Sequence, residues 1–190
     1  MPPKTGLTLL TILQAAVDIA DANGIEAVTL AFLAKNLNVK SPSLYNHVDG
    51  LPGLRQKLAV YGLEQLYSVL MRAAVGRSGD EAVRAMSEAY VQFARSHPGL
   101  YDATLRPPDL RDPGVQKSAG EIVELCVRVL SVYGLEGDDA IHAVRGLRSI
   151  LHGFASLQLS GGFGIPLDLD VSLGRMIDTF IAGIEKMKSV

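Results

Sequence analysis

The 190-residue sequence predicts an all-α fold, on three observations. Apolar residues recur at i, i+3, i+4 and i+7 through nearly every segment long enough to show a period. Glycine and proline gather between those segments, at Asn23-Gly24, Asp49-Gly50, Gly76 to Gly79, His97-Pro98-Gly99 and Gly134. The one run that reads as a strand, Val28-Thr29-Leu30, has no partner with period-2 alternation. About nine helices are expected, divided into residues 1–50 and 51–190, with no internal repeat and no low-complexity tract.

Met1 to Gly6 reads as a disordered arm in which Lys4 is the only positive side chain. A first helix, about Leu7 to Asn23, lines up Leu9, Ile12, Leu13, Ala16, Ile19 and Ala20, and Asn23-Gly24 supplies an end that tolerates the left-handed backbone. Thr29 is a candidate N-cap for a second helix whose apolar stripe is Leu30, Leu33, Ala34 and Leu37. Asn38, Val39 and Lys40 form a three-residue turn, with Val39 able to plug between the flanking helices. Ser41 is placed to cap a third helix, with Pro42 at its first position, where the missing N–H costs nothing. In that third helix Leu44 and Val48 face inward, and Ser43, Tyr45, Asn46 and His47 point outward.

A fourth helix follows from about Leu51 to Ala74, with Pro52 near its start and Leu54, Leu58, Leu66 and Leu70 in register. The next, about Asp80 to Ser96, aligns Val83, Met86, Tyr90, Phe93 and Ala94. Ala103 to Gly114, ATLRPPDLRDPG, reads as a loop because of its three prolines. From about Val115 to Tyr133 a helix brings together Ile122, Leu125, Cys126, Val129 and Leu130 until Gly134 stops it. The segment Gly137 to Leu159 carries Val144, Leu147, Leu151, Phe154 and Leu157, with Gly146 and Gly153 marking close approach of another backbone. After the loop SGGFGIPLDLD, a last helix from about Val171 to Lys186 shows Leu173, Met176, Ile177, Phe180, Ile181 and Ile184 in register.

Composition narrows the possible functions. With 48% hydrophobic residues the chain can bury a sizeable core. Its net charge of −2 and pI near 6.1 exclude bulk binding to polyanions, so any nucleic-acid contact must be local. Residues 1–60 carry a net +1 and the rest −3, which has the right sign for a DNA-binding N-terminal part. One cysteine cannot form an internal disulfide, no charged leader with a long apolar core opens the chain, and no stretch is apolar enough to span a bilayer. A cytoplasmic protein is therefore expected, with no membrane partner.

A row of hydroxyls, an amide, a phenol and an imidazole near the start of a short helix suits hydrogen bonding to base edges and phosphates, the requirement on a helix-turn-helix recognition helix. Together with the flanking helices, the pattern Ala15-Ala16, Gly24, Thr29, Leu33-Ala34, Leu37, Val39, Leu44-Tyr45 and His47 resembles the N-terminal domain of the TetR/AcrR family of bacterial transcriptional regulators, over roughly Leu9 to Leu58. The later part resembles one branch of that family, which carries a Trp-His-Gly motif and a Gly-Phe-Gly loop. Here these stand as Leu151-His152-Gly153 and Gly162-Phe163-Gly164, with Leu in place of Trp; His97-Pro98-Gly99-Leu100-Tyr101 fits the same branch.

The resemblance implies a three-helix helix-turn-helix domain followed by a helical bundle for ligand binding and dimerisation. Ser41, Pro42, Ser43, Tyr45 and His47 would contact bases or phosphates, and Thr29 and Lys40 would hold the backbone. Met86, Tyr90, Phe93, Tyr101, Cys126, Arg145, His152 and Phe154 would line or orient a small, largely apolar effector. The last two helices would pair across a homodimer. A repressor released from a palindromic, double-stranded operator is the expected output. Two positions depart from the family pattern: a lysine that commonly follows the recognition helix is Leu51, and the polar residue usual near the start of the second helix is Ala31. Modest, salt-sensitive DNA binding from few ionic contacts is expected.

The alternative is a helical small-molecule carrier or interaction module with weak DNA binding. An enzyme is disfavoured: Cys126 with His142 or His152, and Ser149 with His152, lack an orienting acid and an oxyanion site. Gly161 to Gly164 is not followed by the Lys-Ser/Thr of a P-loop. Asp168 and Asp170 suit a helix cap better than a cation, and the four histidines have no ligand spacing, so neither metal nor cofactor is expected.

Overall fold

The computed structural model describes residues 7–187, which form helices and connecting turns with no strand among them. The arm expected at Met1 to Gly6 lies outside the described residues. Eight α-helices and the 3₁₀ helix Ser41–Asn46 match the expected nine in number, eight of them where the sequence places a helix; Ile25–Ala27 and Ser131–Tyr133 add single 3₁₀ turns among the described residues. Two compact units result: one runs through Glu64 and takes in Ser96–Gln116, and the other combines Gln65–Arg95 with the chain from Lys117 onward.

In the first unit, α1 (Leu9–Asn23) starts two residues later than its apolar period suggests. Thr8 and Thr11 close a reciprocal capping box there, Thr8 Oγ1 accepting from the Thr11 N–H at 3.2 Å and the Thr8 N–H donating to Thr11 Oγ1 at 2.9 Å. Ile12, Leu13, Ala16, Ile19 and Ala20 are buried as the period requires. Gly24, at φ +83°, ends the helix. Thr29 caps α2 (Leu30–Asn36), its hydroxyl accepting from the Phe32 N–H at 3.2 Å. The chain then turns through Asn38, which at φ 52° is the one non-glycine residue with a left-handed backbone among those described. Asn38 N–H bonds the Lys35 carbonyl and Val39 N–H the Ala34 carbonyl, the paired closure of a Schellman motif. Asparagine tolerates this backbone better than most residues.

The third segment differs from expectation. Ser41–Asn46 is a 3₁₀ helix, and Lys40, with φ −80° and ψ 141°, holds the cap position expected for Ser41. The reason is the tighter pitch: Ser43 N–H bonds the Lys40 carbonyl at 2.9 Å, so the first acceptor lies one residue earlier. From Gly50, α3 (Gly50–Ala74) runs out of this unit and into the second.

α5 (Pro98–Leu105) was hidden in the sequence, read partly as a helix end and partly as loop. It crosses α1 where Gly99 meets Ala20, and α3 where Gly62 meets Leu100 and Thr104. The loop after it is held to α3 by a two-way pair: Gln56 Nε2 donates to the Asp109 carbonyl at 3.0 Å and Asp109 N–H to Gln56 Oε1 at 2.9 Å. Asp112 Oδ1 then accepts from the Gly114 and Val115 N–H groups, capping α6 (Pro113–Leu130) two residues before the expected start.

In the second unit, α4 (Gly79–Ser96) buries Val83, Met86, Tyr90, Phe93 and Ala94 on one face. The 3₁₀ turn closing α6 is tied to it by Tyr133 Oη, which donates to Asp80 Oδ1 at 2.7 Å. Burial and that hydrogen bond push the phenol above its ordinary pKa range. Gly134 stops this segment with φ +69°, as expected. α7 (Gly137–Leu159) buries Val144, Leu147, Leu151 and Phe154, and α8 (Leu169–Met187) buries Leu173, Ile177, Ile181 and Ile184. Phe180 of α8 packs over Gly146 of α7, and Arg84 of α4 pairs with both Asp80 and Asp178. Leu157 and Met176, expected on the inner faces, are exposed instead. Among the described residues no helix is long and apolar enough to cross a membrane.

Candidate nucleic-acid interface and effector domain

The 3₁₀ pitch sorts the residues of the third segment by threes. Leu44 is fully buried, and Ser41 and His47, three residues either side of it, are half-buried on the same face. Pro42 and Tyr45 share the outer face, where Tyr45 is 59% exposed. Ser43 is half-buried and Asn46 exposed. Tyr45 therefore does not pack between helices. Thr29 and Lys40 are exposed at the starts of α2 and the 3₁₀ helix. Ala31 is exposed and offers no polar group, Leu51 is half-buried, and Phe32, next to Ala31 in sequence, is 42% exposed. Among the cations of this unit, Lys35 and Lys40 are exposed, whereas Arg55 is bound to Glu26 at 2.7 Å.

α5 is seated by a residue that local sequence reading passed over. Asp21, near the end of α1, accepts from the Gly99 and Leu100 N–H groups with Oδ1, both at 2.9 Å, and its Oδ2 lies 2.8 Å from His97 Nδ1. One carboxylate thus satisfies donors at the start of a helix 76 or more residues away. No local signal marks it, because an Asp in the last turn of a helix reads as ordinary solvated surface. Glu26 and Arg55 escaped notice for the same reason, being 29 residues apart.

The eight expected effector residues are distributed as follows. Met86, Tyr90 and Phe93 lie on the buried face of α4 and Phe154 is buried on α7, its ring tilted at 43° against Phe163 with centroids 5.1 Å apart. His152 is half-buried, with Ser156 Oγ 3.4 Å from Nδ1, and Cys126 is half-buried on α6. Arg145 is exposed, and Tyr101 belongs to the first unit, buried on α5. The opposite side of α4 carries a surface groove of about 650 Å³, with Ala85, Ala89 and Leu173 along it and the Arg95–Asp170 ion pair, at 3.0 Å, on its rim.

The groups considered for catalysis are differently engaged. Burial pushes the Cys126 thiol up to about 11, the reverse of an activated nucleophile. Ser149 Oγ donates to the Arg145 carbonyl at 2.8 Å, within its own helix. Asp168 caps α8, accepting from the Asp170 N–H at 2.8 Å and the Val171 N–H at 3.3 Å.

Comparison with known proteins agrees with this architecture. A model of the tetracyclin repressor-like C-terminal domain matches residues 83–180. The chain is 41% identical over 185 residues to the HTH-type transcriptional regulator YobS of Bacillus subtilis, covering 97% of this chain and 96% of that protein. It is 35% identical to an HTH-type transcriptional regulator of Mycobacterium tuberculosis, over 93% of this chain and 81% of the other. Among solved structures, a Rhodococcus protein of unknown function superposes with a TM-score of 0.81 at 22% identity, covering 96% of this chain and 98% of its own. A TetR variant from Acinetobacter baumannii, crystallised with minocycline, superposes at 0.72 with 20% identity, covering 97% and 99%. At these identities the two structures speak for the fold alone.

Proposed function

The chain belongs to the TetR family of DNA-binding, HTH-type transcriptional regulators, and from that premise we propose that it is a repressor. It holds a palindromic operator as a homodimer and releases it when a small, largely apolar effector binds. The functional division falls at residue 50: 1–50 reads DNA, and 51–190 binds the effector and dimerises. This work takes place in the cytoplasm, where the operator is.

The observation that carries the DNA-binding assignment is the contrast within Leu44-Tyr45. Leu44 is buried completely while its neighbour stands 59% exposed in a segment rich in hydrogen-bonding groups. A large aromatic with a polar tip, held out by a buried anchor, is suited to a base edge or a phosphate. Tyr45, Ser43, Pro42 and the flank of His47 then enter the major groove, Ser41 supports them, and Thr29 and Lys40 fix the backbone. With Ala31 and Leu51 supplying no phosphate contact, the ionic part of the affinity is small and rests on a few contacts, each of which added salt weakens.

Dimerisation through α7 and α8 is supported by what those helices leave uncovered. Leu157, Leu159, Val171 and Met176 are exposed, and a Cβ at Gly153, Gly174 or Gly183 would meet no atom within 4 Å. Apolar side chains beside such open glycines suit close packing of a second copy of the same helices, in a four-helix bundle. In the dimer the two recognition segments are expected ~34–36 Å apart, one turn of the duplex.

The effector is held by Met86, Tyr90, Phe93, Cys126 and Phe154, with His152 and Arg145 as polar contacts. α3 and α6 each run unbroken from one unit into the other and give a covalent route for coupling. The effector lowers DNA affinity by the ratio of its affinities for the two dimer states.

The test is selection of random duplex DNA by the purified protein at ~50 mM salt, where a few phosphate contacts still count. Recovery of a palindrome whose half-sites lie about 10 bp apart supports the operator assignment. A folded, dimeric protein that enriches no sequence overturns it.

A further inference from the structure

Arg55 is an arginine of the DNA-binding unit whose charge is already engaged. Its Nη2 donates to Glu26 Oε2 at 2.7 Å, while its Nε is enclosed and has no acceptor among the described residues. The two partners are unequally placed, the Arg55 side chain being 29% exposed and that of Glu26 83%. The enclosed stem fixes where the guanidinium emerges; the carboxylate it meets lies almost wholly in solvent. Glu26 stands in the 3₁₀ turn Ile25–Ala27, three residues before Thr29. Arg55 stands on α3 four residues after Leu51, one turn along the same face. It is thus the next cation available where Leu51 supplies none.

A guanidinium fork matches a carboxylate and a phosphate by the same geometry. An ion pair closed within the protein, however, releases no counterion from DNA and adds nothing to the salt dependence of binding. Resting on the DNA-binding assignment above, we infer that Arg55 is a further phosphate-contacting residue and that Glu26 is its built-in competitor. Glu26 holds the guanidinium in the unbound protein and yields it only in part to a backbone phosphate on the duplex, so the wild type gains little of that contact. The exchange trades one ion pair for another, so the affinity gained is small and the resting affinity for arbitrary DNA stays low. Glu26 therefore sets how much of the binding is ionic.

The experiment compares the full-length wild type with Glu26→Gln, Arg55→Gln, Arg55→Lys and the double variant Glu26→Gln/Arg55→Gln. Each is titrated against a fluorescent random-sequence duplex by anisotropy at several salt concentrations, after a melting curve shows it folded. Contact with one extra phosphate adds about 0.9 to the salt slope, which at 0.1 M salt is an affinity gain of about eightfold. Glu26→Gln is expected to show both changes. The double variant is expected to lose them, and Arg55→Lys, which keeps the charge, to retain the wild-type slope. Glu26→Gln with wild-type affinity and slope overturns the inference, as does a gain that persists in full without Arg55, because Glu26 would then be a repelling charge only. A wild type that binds no duplex even at 50 mM salt overturns the DNA-binding assignment along with it, whereas a binding wild type with an unchanged Glu26→Gln overturns the competitor alone.

Discussion

Gly99 of α5 lies in backbone contact with Ala20 of α1: a Cβ on Gly99 would stand 2.1 Å from the Ala20 carbonyl carbon and 2.2 Å from its oxygen. Real Cβ contacts do not come so close, and backbone cannot move aside as the tip of a side chain can. Gly99→Ala is therefore expected to cost about 3 kcal/mol, the upper end for overpacking a well-filled site. Chemical denaturation measures it directly. An unfolding midpoint equal to wild type would show that α5 does not seat as described.

Asp21 holds the same crossing by charge. Its carboxylate accepts two backbone N–H bonds at 2.9 Å and lies 2.8 Å from His97 Nδ1, with only 18% of the side chain exposed. Asp21→Ala leaves those N–H groups without their acceptor, an expected loss of about 2 kcal/mol. Asp21→Asn keeps an acceptor oxygen and is expected to lose less. A denaturation series on the three proteins would reveal the order, and equal stability of Asp21→Ala and wild type would refute the capping role.

Tyr45 and Lys40 are both exposed, yet their removal should be distinguishable. Each truncation is expected to change stability by less than about 0.5 kcal/mol, as for ordinary surface positions. Tyr45→Ala should weaken binding to the selected operator by about tenfold or more and narrow the gap between operator and random duplex. Lys40→Ala should weaken both duplexes alike and reduce the salt slope by about one. Anisotropy titrations on the two duplexes separate the outcomes; identical behaviour of the two variants would reject the assigned roles.

The Cys126 thiol titrates near 11 in the fold and near 9.0 when exposed, because burial penalises the thiolate. The sign of the effect follows from proton binding. Between these values the unfolded chain has lost the proton that the folded chain keeps, so stability falls as pH rises from about 9 to about 11 and is unaffected by this group below about 9. Cys126→Ala should flatten that part of the stability–pH curve. At pH 8 only about one folded molecule in a thousand carries the thiolate, so alkylation of the native protein should be slow and should accelerate on unfolding.

Much of this architecture was written in local pattern. Thr29, Leu33 and Leu44 each carry their roles in their immediate neighbours, as a cap before an apolar stripe, a stripe member, and a buried anchor between polar residues. Boundaries such as Gly24, Gly134 and Gly137 were legible because positive φ selects glycine. α7 begins and ends where its period and breakers place it, at Gly137 and Leu159. Misplaced boundaries had local causes too: the 3₁₀ pitch moved the cap from Ser41 to Lys40, and the Asp112 carboxylate drew α6 back to Pro113.

Helix type, helix order and the amphipathic faces follow from spacing along the chain, because each depends on residues within a turn or two of one another. The seating of α5 on α1, the capture of its first N–H groups by Asp21, the pairing of Arg55 with Glu26, and the exposure of Leu157, Met176 and Arg145 do not. Those depend on which helices meet, and the partners stand 29 to 79 residues apart in sequence wherever one of these hydrogen bonds joins them across the first unit. A carboxylate or a glycine looks the same in sequence whether it faces water or another backbone, and only packing distinguishes the two.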